Sequence, residues 1–237
     1  MHLVVFDVDG TLADTAPVDM ECFWPAAKEI FGLPSDYPTW VEGLKHVTGV
    51  AILSLFCEQA LARTISASEL GRFKARFVAI LEAAVLKNVN CFRAMPGAAD
   101  MLAAVSATAG FEAAIATGCF RHSAEFKLRS AGLHDPDIPI ASCDDARSRE
   151  EIMKISANRA VAKCGRDFSA VTYVGDGLWD FQAAQRLGWN FIGIGSGDAA
   201  AQLTRAGAAT VMPLFSPREE FFAAISKAAN HPQPRGA

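Results

Sequence analysis

Four short apolar runs, each followed by Asp, Gly or Thr, constrain the fold of this chain more than any other feature. They cover residues 3–6, 113–116, 171–174 and 191–194. Buried parallel strands have this composition, because helices cover both faces of a parallel sheet. Helix-forming stretches lie between the later runs, and residues 149–164 carry an apolar stripe. The alternation predicts an α/β fold with a parallel sheet between two layers of helices.

The segment between residues 17 and 91 breaks this alternation, because it is rich in helix formers and has no strand-like run. Its aromatic residues, which include Trp24 and Trp40, are expected to form the core of a helical insert. The insert follows the first strand and its loop, so it should lie over the carboxyl ends of the strands, where open α/β sheets bind ligands. A helical bundle without a ligand role is the alternative. We predict a discontinuous core of residues 1–15 and 92–229, a helical cap of residues 16–91 and a disordered tail of residues 230–237.

Composition and charge exclude several classes of function. The chain has 237 residues, 51% of them hydrophobic, and a formal net charge of −4. This charge provides no basic face for a nucleic-acid backbone, so a small molecule is the expected partner. The sequence has no basic leader and no apolar run of the roughly 20 residues that a membrane span needs, and we expect a cytoplasmic protein. The six cysteines are scattered without a Cys-x-x-Cys pair and are expected to be reduced core residues.

Two carboxylates stand two residues apart directly after the first apolar run, in the segment Asp7-Val8-Asp9-Gly10-Thr11. Residues two apart in an extended chain lie on the same side, so both carboxylates can reach one substrate. A carboxylate can attack phosphorus when a divalent cation neutralises the phosphate, and Asp7 suits this role. Asp9 is placed to protonate the leaving oxygen and then to activate water. A turn with an Asx hydrogen bond, or a fragment of a calcium-binding loop, is the alternative interpretation.

Two further apolar runs end in residues suited to phosphate and metal. Thr117 and Gly118 follow the second run, where a hydroxyl and a backbone amide can donate to phosphate oxygens. Asp176 and Asp180 follow the third run. Because Mg²⁺ prefers oxygen ligands, we predict that Asp176 binds the metal and that Asp180 binds it too or holds its waters. Turns or helix caps at both places are the alternative interpretation.

These three segments, in this order, resemble the motifs of the haloacid dehalogenase superfamily, and the similarity extends from residue 3 to about residue 222. The resemblance implies a Rossmann-like core with a helical cap, as in phosphoglycolate phosphatases, and Mg²⁺-dependent hydrolysis of a small phosphomonoester. It implies that Asp7 becomes a phosphoaspartate, that Asp9 is the general acid and base, and that Thr117 binds phosphate. The implied ligands of Mg²⁺ are Asp7, the backbone carbonyl of Asp9, and Asp176.

One position departs from the superfamily pattern. The superfamily supplies a Lys near the start of the helix before the last motif, where its charge bridges nucleophile and phosphate. The spacing to Ile152 indicates Arg149 as the substitute in this chain, with Arg147 and Lys154 as the other candidates. Arg keeps the positive charge but presents a planar fork instead of a compact ammonium. An Arg in the first turn of a solvated helix is the alternative interpretation.

The same scaffold supports other activities, so the site has to distinguish them. The superfamily's dehalogenases lack the second Asp, and Asp9 therefore argues against dehalogenation. Members that resemble β-phosphoglucomutase, a phosphomutase, carry an Arg three residues after a Gly of the cap, where this chain has Ile52 after Gly49. Phosphonate hydrolases of the superfamily need a Schiff-base Lys early in the cap, for which Lys28 and Lys45 are nominal candidates. A non-catalytic binding module that kept the fold is the alternative from a different class.

The remaining expectations concern residues outside the motifs. Asp14 follows the first motif closely and is expected to shape a hinge. Three histidines are interpreted as surface groups: His46, His122 and His134. Candidates for contact with a small phosphorylated metabolite come from the insert and are Lys45, His46, Arg63, Arg72 and Trp24. Monomer and homodimer are both compatible with the sequence.

Overall fold

The computed structural model describes residues 1–32, 44, 46–215 and 217–230. Eight strands lie in this part of the chain: β1 (His2–Phe6), β2 (Ala13–Asp14), β3 (Arg93–Ala94), β4 (Phe111–Ala116), β5 (Ile140–Ala141), β6 (Ala170–Gly175), β7 (Asn190–Ile194) and β8 (Val211–Met212). Six of them form one parallel sheet in the order β5-β4-β1-β6-β7-β8, and β2 pairs with β3 in a separate antiparallel ribbon. The predicted parallel sheet is confirmed.

Helices cover both faces of the sheet. Those in the described ranges are α1 (Ala16–Phe31), α2 (Gly49–Leu61), α3 (Ala67–Lys87), α4 (Ala98–Ala107), α5 (Arg121–Ser130), α6 (Arg149–Cys164), α7 (Leu178–Leu187), α8 (Gly197–Arg205) and α9 (Arg218–Asn230). The side chains of β1 belong alternately to the two apolar layers, because successive residues of a strand point to opposite faces of the sheet. Leu3 and Val5 pack with α6 and α7, whereas Val4 and Phe6 pack with α4 and α9. The predicted α/β layer architecture is confirmed.

The register of the sheet determines where the motif residues meet. Phe6, the last residue of β1, is aligned with Ile115 of β4 and with Val174 of β6. Because the three strands are parallel and end at the same level, the loops that follow them leave from one edge of the sheet. The residues after these strands therefore come together although they are far apart in the sequence.

A short ribbon connects the sheet to the inserted helices. Strands β2 and β3 pair antiparallel, and the helices α1, α2 and α3 lie between them in the chain. Asp14 is paired with Arg93 in the ribbon, and Arg93 Nη2 donates to Asp14 Oδ2 at 2.9 Å. Asp14 therefore lies at the junction for which the sequence predicts a hinge.

Aromatic side chains form the core of the inserted helices, as the sequence predicts. Phe73 of α3 is fully buried, and its ring lies 5.2 Å from that of Phe23 and 5.6 Å from that of Phe120, measured between centroids. Trp24 is also buried and packs edge-on against Phe56. The predicted insert residues Trp40 and Lys45 lie outside the described residues, as does the predicted tail beyond Asn230.

The helices of the described part of the chain are too short or too polar to cross a lipid bilayer.

Replacing Phe73 by Ala should lower the free energy of unfolding by about 3–5 kcal/mol, because the ring is fully buried and its loss leaves a cavity. Urea denaturation measures this change. The matched control is Leu86→Ala in the same helix, since Leu86 is 85% exposed, and its effect should stay within about 0.5 kcal/mol. Equal losses in the two variants would show that Phe73 does not form the core of the insert.

Candidate active site

The loop after β1 is shaped to let a distant carboxylate approach the backbone. Gly10 has a φ of +73°, and a Cβ atom built on it would lie 2.1 Å from Asp176 Oδ2. A larger residue would therefore suffer both backbone strain and a collision. Thr11 donates its hydroxyl to Asp176 Oδ1 at 3.4 Å, so the first and the last motif contact each other directly.

Three carboxylates form a buried cluster at this edge of the sheet. Oxygen atoms of Asp7, Asp176 and Asp180 all lie within 4.8 Å of one another. Burial raises the pKa of Asp7 to about 7, although the charge of Arg149 opposes the shift. Burial also raises the pKa of Asp176, and the charges of Asp180 and Asp7 add to the shift. The folded protein thus concentrates negative charge here at a cost in free energy, which is typical of functional sites.

Arg149 is the cation of this cluster. It begins α6, it is 5% exposed, and its Nη1 lies 3.2 Å from Asp7 Oδ1 and 3.1 Å from Asp180 Oδ1. The other two candidates for the position of the missing Lys, Arg147 and Lys154, are exposed. The burial of Arg149 rules out the alternative interpretation, in which it lies in the first turn of a solvated helix. Among the three candidates, Arg149 is the side chain that the fold brings to Asp7.

Tyr173 is hydrogen-bonded to Arg149, a contact that was not expected from the sequence. Its hydroxyl donates to the carbonyl oxygen of Ala116 at 2.8 Å and accepts from Arg149 Nη1 at 3.4 Å. Tyr173 lies in the middle of an apolar strand, where a large aromatic residue is expected to fill the core. Its polar end therefore gives no separate signal in the sequence.

The cluster fits a divalent cation. Three ionised carboxylates and one guanidinium sum to a charge of −2, which a divalent cation would neutralise. The donor atoms are carboxylate oxygens, the type of ligand that Mg²⁺ prefers. Asp180 also accepts from the backbone amide of Gly177 at 3.1 Å, which fixes its side chain at the start of α7.

Thr117 and Gly118 directly follow β4, and Gly118 lies next to Arg149. The Thr117 hydroxyl accepts from the amide of Cys119 at 3.2 Å, and its hydrogen can still be donated to a ligand. A Cβ atom on Gly118 would lie 2.7 Å from Arg149 Nη2, so only Gly lets the guanidinium approach this closely. The start of α2 contacts this point, since Gly49 donates its amide to the carbonyl oxygen of Gly118 at 2.8 Å.

The carboxylate of Asp9 belongs to a second cluster. Lys127 of α5 places its Nζ 2.7 Å from each oxygen of Asp9 and 2.6 Å from Asp19 Oδ1. Burial works against ionisation of Asp9, yet the charge of Lys127 and hydrogen bonds from Cys119, Lys127 and Thr15 hold its pKa below the ordinary value. Burial raises the pKa of Asp19 to about 6, against the charge of Lys127. Asp9, Asp19 and Cys119 lie close enough together to hold a metal ion. The ammonium of Lys127 is bound to them instead.

Besides Tyr173, sequence reasoning missed the site residues Lys127, Asp19 and Cys119. One signal could have identified Lys127. In α5 it shares the buried face with Ser123, Ala124 and Leu128, and a Lys on such a face needs a partner. Asp19 and Cys119 give no comparable signal, because an Asp in the first turn of a helix and a Cys after a strand are both ordinary features.

The chain belongs to the haloacid dehalogenase-like hydrolase family, whose model matches residues 1–188. It is therefore a hydrolase. No curated protein matches the chain closely enough to serve as a relative.

Several solved structures share the fold. A hydrolase from Pseudomonas syringae is 21% identical, with a TM-score of 0.69 over 95% of this chain and 99% of that one. CbbY from Rhodobacter sphaeroides, solved in complex with phosphate, is 22% identical, with a TM-score of 0.65 over 91% of this chain and 95% of that one. A predicted phosphoglycolate phosphatase from Haemophilus somnus is 19% identical, with a TM-score of 0.58 over 93% and 97% of the two chains.

The raised pKa values predict how Mg²⁺ and pH affect stability. Because the pKa of Asp7 is about 7 in the folded protein, folding strengthens proton binding there relative to the unfolded chain, whose carboxyls titrate near about 4. The contribution of Asp7 to the stability of the metal-free protein should therefore fall as the pH rises from about 4 to about 7.

Mg²⁺ should raise the melting temperature, and more at about pH 8 than at about pH 5.5, because protons compete with the metal for the carboxylates.

Thermal unfolding with and without Mg²⁺ measures this effect. Asp176→Asn should remove most of the Mg²⁺-induced rise in melting temperature, because it removes one of the three clustered carboxylates. The control is Asp198→Asn, which changes an exposed Asp in the first turn of α8 and should leave the rise intact. An undiminished rise in Asp176→Asn would place the metal elsewhere.

Proposed function

We propose that the protein is a Mg²⁺-dependent phosphatase that hydrolyses a small phosphomonoester through a phosphoaspartate on Asp7. The observation that carries this proposal is the buried cluster of Asp7, Asp176 and Asp180 beside Arg149. Such a cluster suits a divalent cation, and a carboxylate next to a divalent cation can attack phosphorus. The phosphate complex of CbbY, a protein of the same fold, supports a phosphorylated ligand.

In the first half of the reaction, a carboxylate oxygen of Asp7 bonds to phosphorus and the ester oxygen leaves. The carboxylates of Asp7, Asp176 and Asp180 would hold Mg²⁺, which would neutralise the phosphate charge. Arg149 adds a positive charge next to Asp7, and its Nε has no hydrogen-bond partner within the described part of the chain. A phosphate oxygen would satisfy this donor. The Thr117 hydroxyl and the Gly118 amide provide further donors.

Asp9 moves the protons. It gives a proton to the ester oxygen as the bond between phosphorus and that oxygen breaks. The approach of a phosphate dianion favours the protonated form of Asp9, which opposes the effect of Lys127. In the second half, Asp9 accepts a proton from the water that attacks phosphorus, so that inorganic phosphate leaves and Asp7 is restored. The proton that Asp9 loses in the first half is regained in the second.

The inserted helices act in this proposal as a cap over residues 1–15 and 92–229. Three contacts near Thr48 support this role. The Thr48 hydroxyl donates to the carbonyl oxygen of Arg147 at 2.9 Å, Gly49 donates to Gly118, and Arg149 Nη2 donates to the carbonyl oxygen of Val47 at 3.1 Å. A cap seated on the catalytic loops excludes water and favours small substrates.

Two alternatives are less well supported. A phosphomutase of the β-phosphoglucomutase type would use an Arg three residues after Gly49, where this chain has the half-buried Ile52. A non-catalytic module would not require three like charges to be buried together, because this arrangement costs free energy without a ligand.

A phosphate-release screen with small phosphomonoesters and Mg²⁺ tests the proposal. At least one ester should be hydrolysed, and Asp7→Asn should abolish the activity because the amide oxygen is not a nucleophile for phosphorus. Circular dichroism should show that the variant is folded. Asp198→Asn is again the control. Activity that survives Asp7→Asn, or removal of the metal by a chelator, would rule out the proposed mechanism.

Arg149 should contribute at least about 1.4 kcal/mol to transition-state stabilisation, so Arg149→Ala should lower kcat/KM about tenfold or more. Arg149→Lys keeps a positive charge beside Asp7 but has one nitrogen where Arg149 uses two, one for Asp7 and one for Val47. It should therefore recover part of the loss. Steady-state kinetics measures both variants. An Arg149→Ala enzyme with normal kcat/KM would assign the charge to Arg147 or Lys154.

A further inference from the structure

Lys127 is a buried charge that the proposed reaction does not use. Its side chain is 0% exposed, and a Lys is almost never fully buried unless it is paired. Its Nζ lies 2.7 Å from Asp9 Oδ1, 2.7 Å from Asp9 Oδ2 and 2.6 Å from Asp19 Oδ1. The ammonium group therefore directs its hydrogens at two carboxylates, one of which is the proposed acid and base.

Asp9 is held from three segments of the chain. Lys127 comes from α5, Thr15 from the residue before α1, and Cys119 from the loop after β4. The Thr15 hydroxyl donates to Asp9 Oδ1, and the Cys119 thiol donates to Asp9 Oδ2 at 2.5 Å. Each carboxylate oxygen thus has two donors, which fixes both its position and its orientation.

Asp19 holds Lys127 from the opposite side. It lies in the first turn of α1, so the ammonium bridges the inserted helices and the loop that follows β1. Two ionised carboxylates and one ammonium sum to a charge of −1 in this cluster.

We infer that Lys127 is a positioning residue for Asp9 and that Asp19 anchors Lys127 in place. This inference rests on the proposed function, because it requires Asp9 to protonate the leaving oxygen. In the reaction Lys127 donates hydrogen bonds to Asp9 and neither gains nor loses a proton. Lys127 keeps the Asp9 oxygens at the point where the ester oxygen departs, and its contribution is the correct position of these atoms.

Two variants, Lys127→Met/Asp19→Asn and Thr15→Val, distinguish a positioning role of Lys127 from a role in folding. Lys127→Met alone leaves two buried carboxylates unpaired and threatens the fold. The double variant Lys127→Met/Asp19→Asn instead keeps the charge of the cluster at −1, and its matched control is Asp19→Asn, from which it differs only at Lys127. Thr15→Val removes one hydroxyl donor to Asp9, changes no charge and has nearly the same volume.

The readout is kcat/KM for two esters of similar shape, phenyl phosphate and 4-nitrophenyl phosphate. Phenolate is the stronger base and needs a proton to leave, whereas 4-nitrophenolate leaves readily without one. Relative to Asp19→Asn, the double variant should lose about tenfold or more with phenyl phosphate but less than about threefold with 4-nitrophenyl phosphate. Thr15→Val should show the same selective loss at a smaller size relative to the wild type.

Equal losses with both esters, or no loss, in folded protein would overturn the inference, since a purely structural role does not depend on the leaving group. Failure of the proposed function is distinguishable from this result. A wild-type protein that releases phosphate from neither ester, nor from any ester of the screen, would refute the phosphatase and the role of Lys127 together.

Discussion

Burial of negative charge at one edge of the parallel sheet is the constraint on which the rest of the site depends. Five Asp side chains gather there around two cations, Arg149 and Lys127. Neither cation lies on a strand, since Lys127 comes from α5 and Arg149 from the start of α6. Gly10 and Gly118 lack side chains at points where Asp176 and Arg149 closely approach the backbone. The glycines and the flanking helices are thus consequences of the same electrostatic requirement.

Asp7 lies beside Arg149 and Asp9 beside Lys127, and the pKa values of these two carboxyls shift in opposite directions. Burial outweighs the charge of Arg149 at Asp7 and raises its pKa to about 7, whereas Lys127 and its neighbours outweigh burial at Asp9 and lower its pKa. Two carboxylates that are two residues apart in the chain therefore differ in their affinity for a proton. The proposed roles require the opposite order, which a divalent cation beside Asp7 and a phosphate dianion beside Asp9 would produce.

The sequence predicted the parts of the fold that depend on local patterns. The four predicted strands correspond to β1, β4, β6 and β7, whereas β2, β3, β5 and β8 have two residues each and show no periodicity. The sequence identifies the Asp, Thr and Gly residues of the motifs because each motif directly follows a predicted strand. The sequence does not identify the partners of Lys127, since Asp9 and Asp19 lie 118 and 108 residues away in the chain. Contacts at such separations follow from the tertiary fold, which the sequence does not display.

The ribbon of β2 and β3 brings the chain back almost to where it left the sheet. Ala13 lies opposite Ala94, so the polypeptide departs and returns through neighbouring residues. An architecture of this kind is modular, because one helical segment could be exchanged for another without changing the strand order. Lys127 restricts such exchange, since its ammonium bonds to Asp19 of the inserted segment. A grafted segment would have to present a carboxylate at the same point, so the buried charges of the core restrict which helical segments can be inserted.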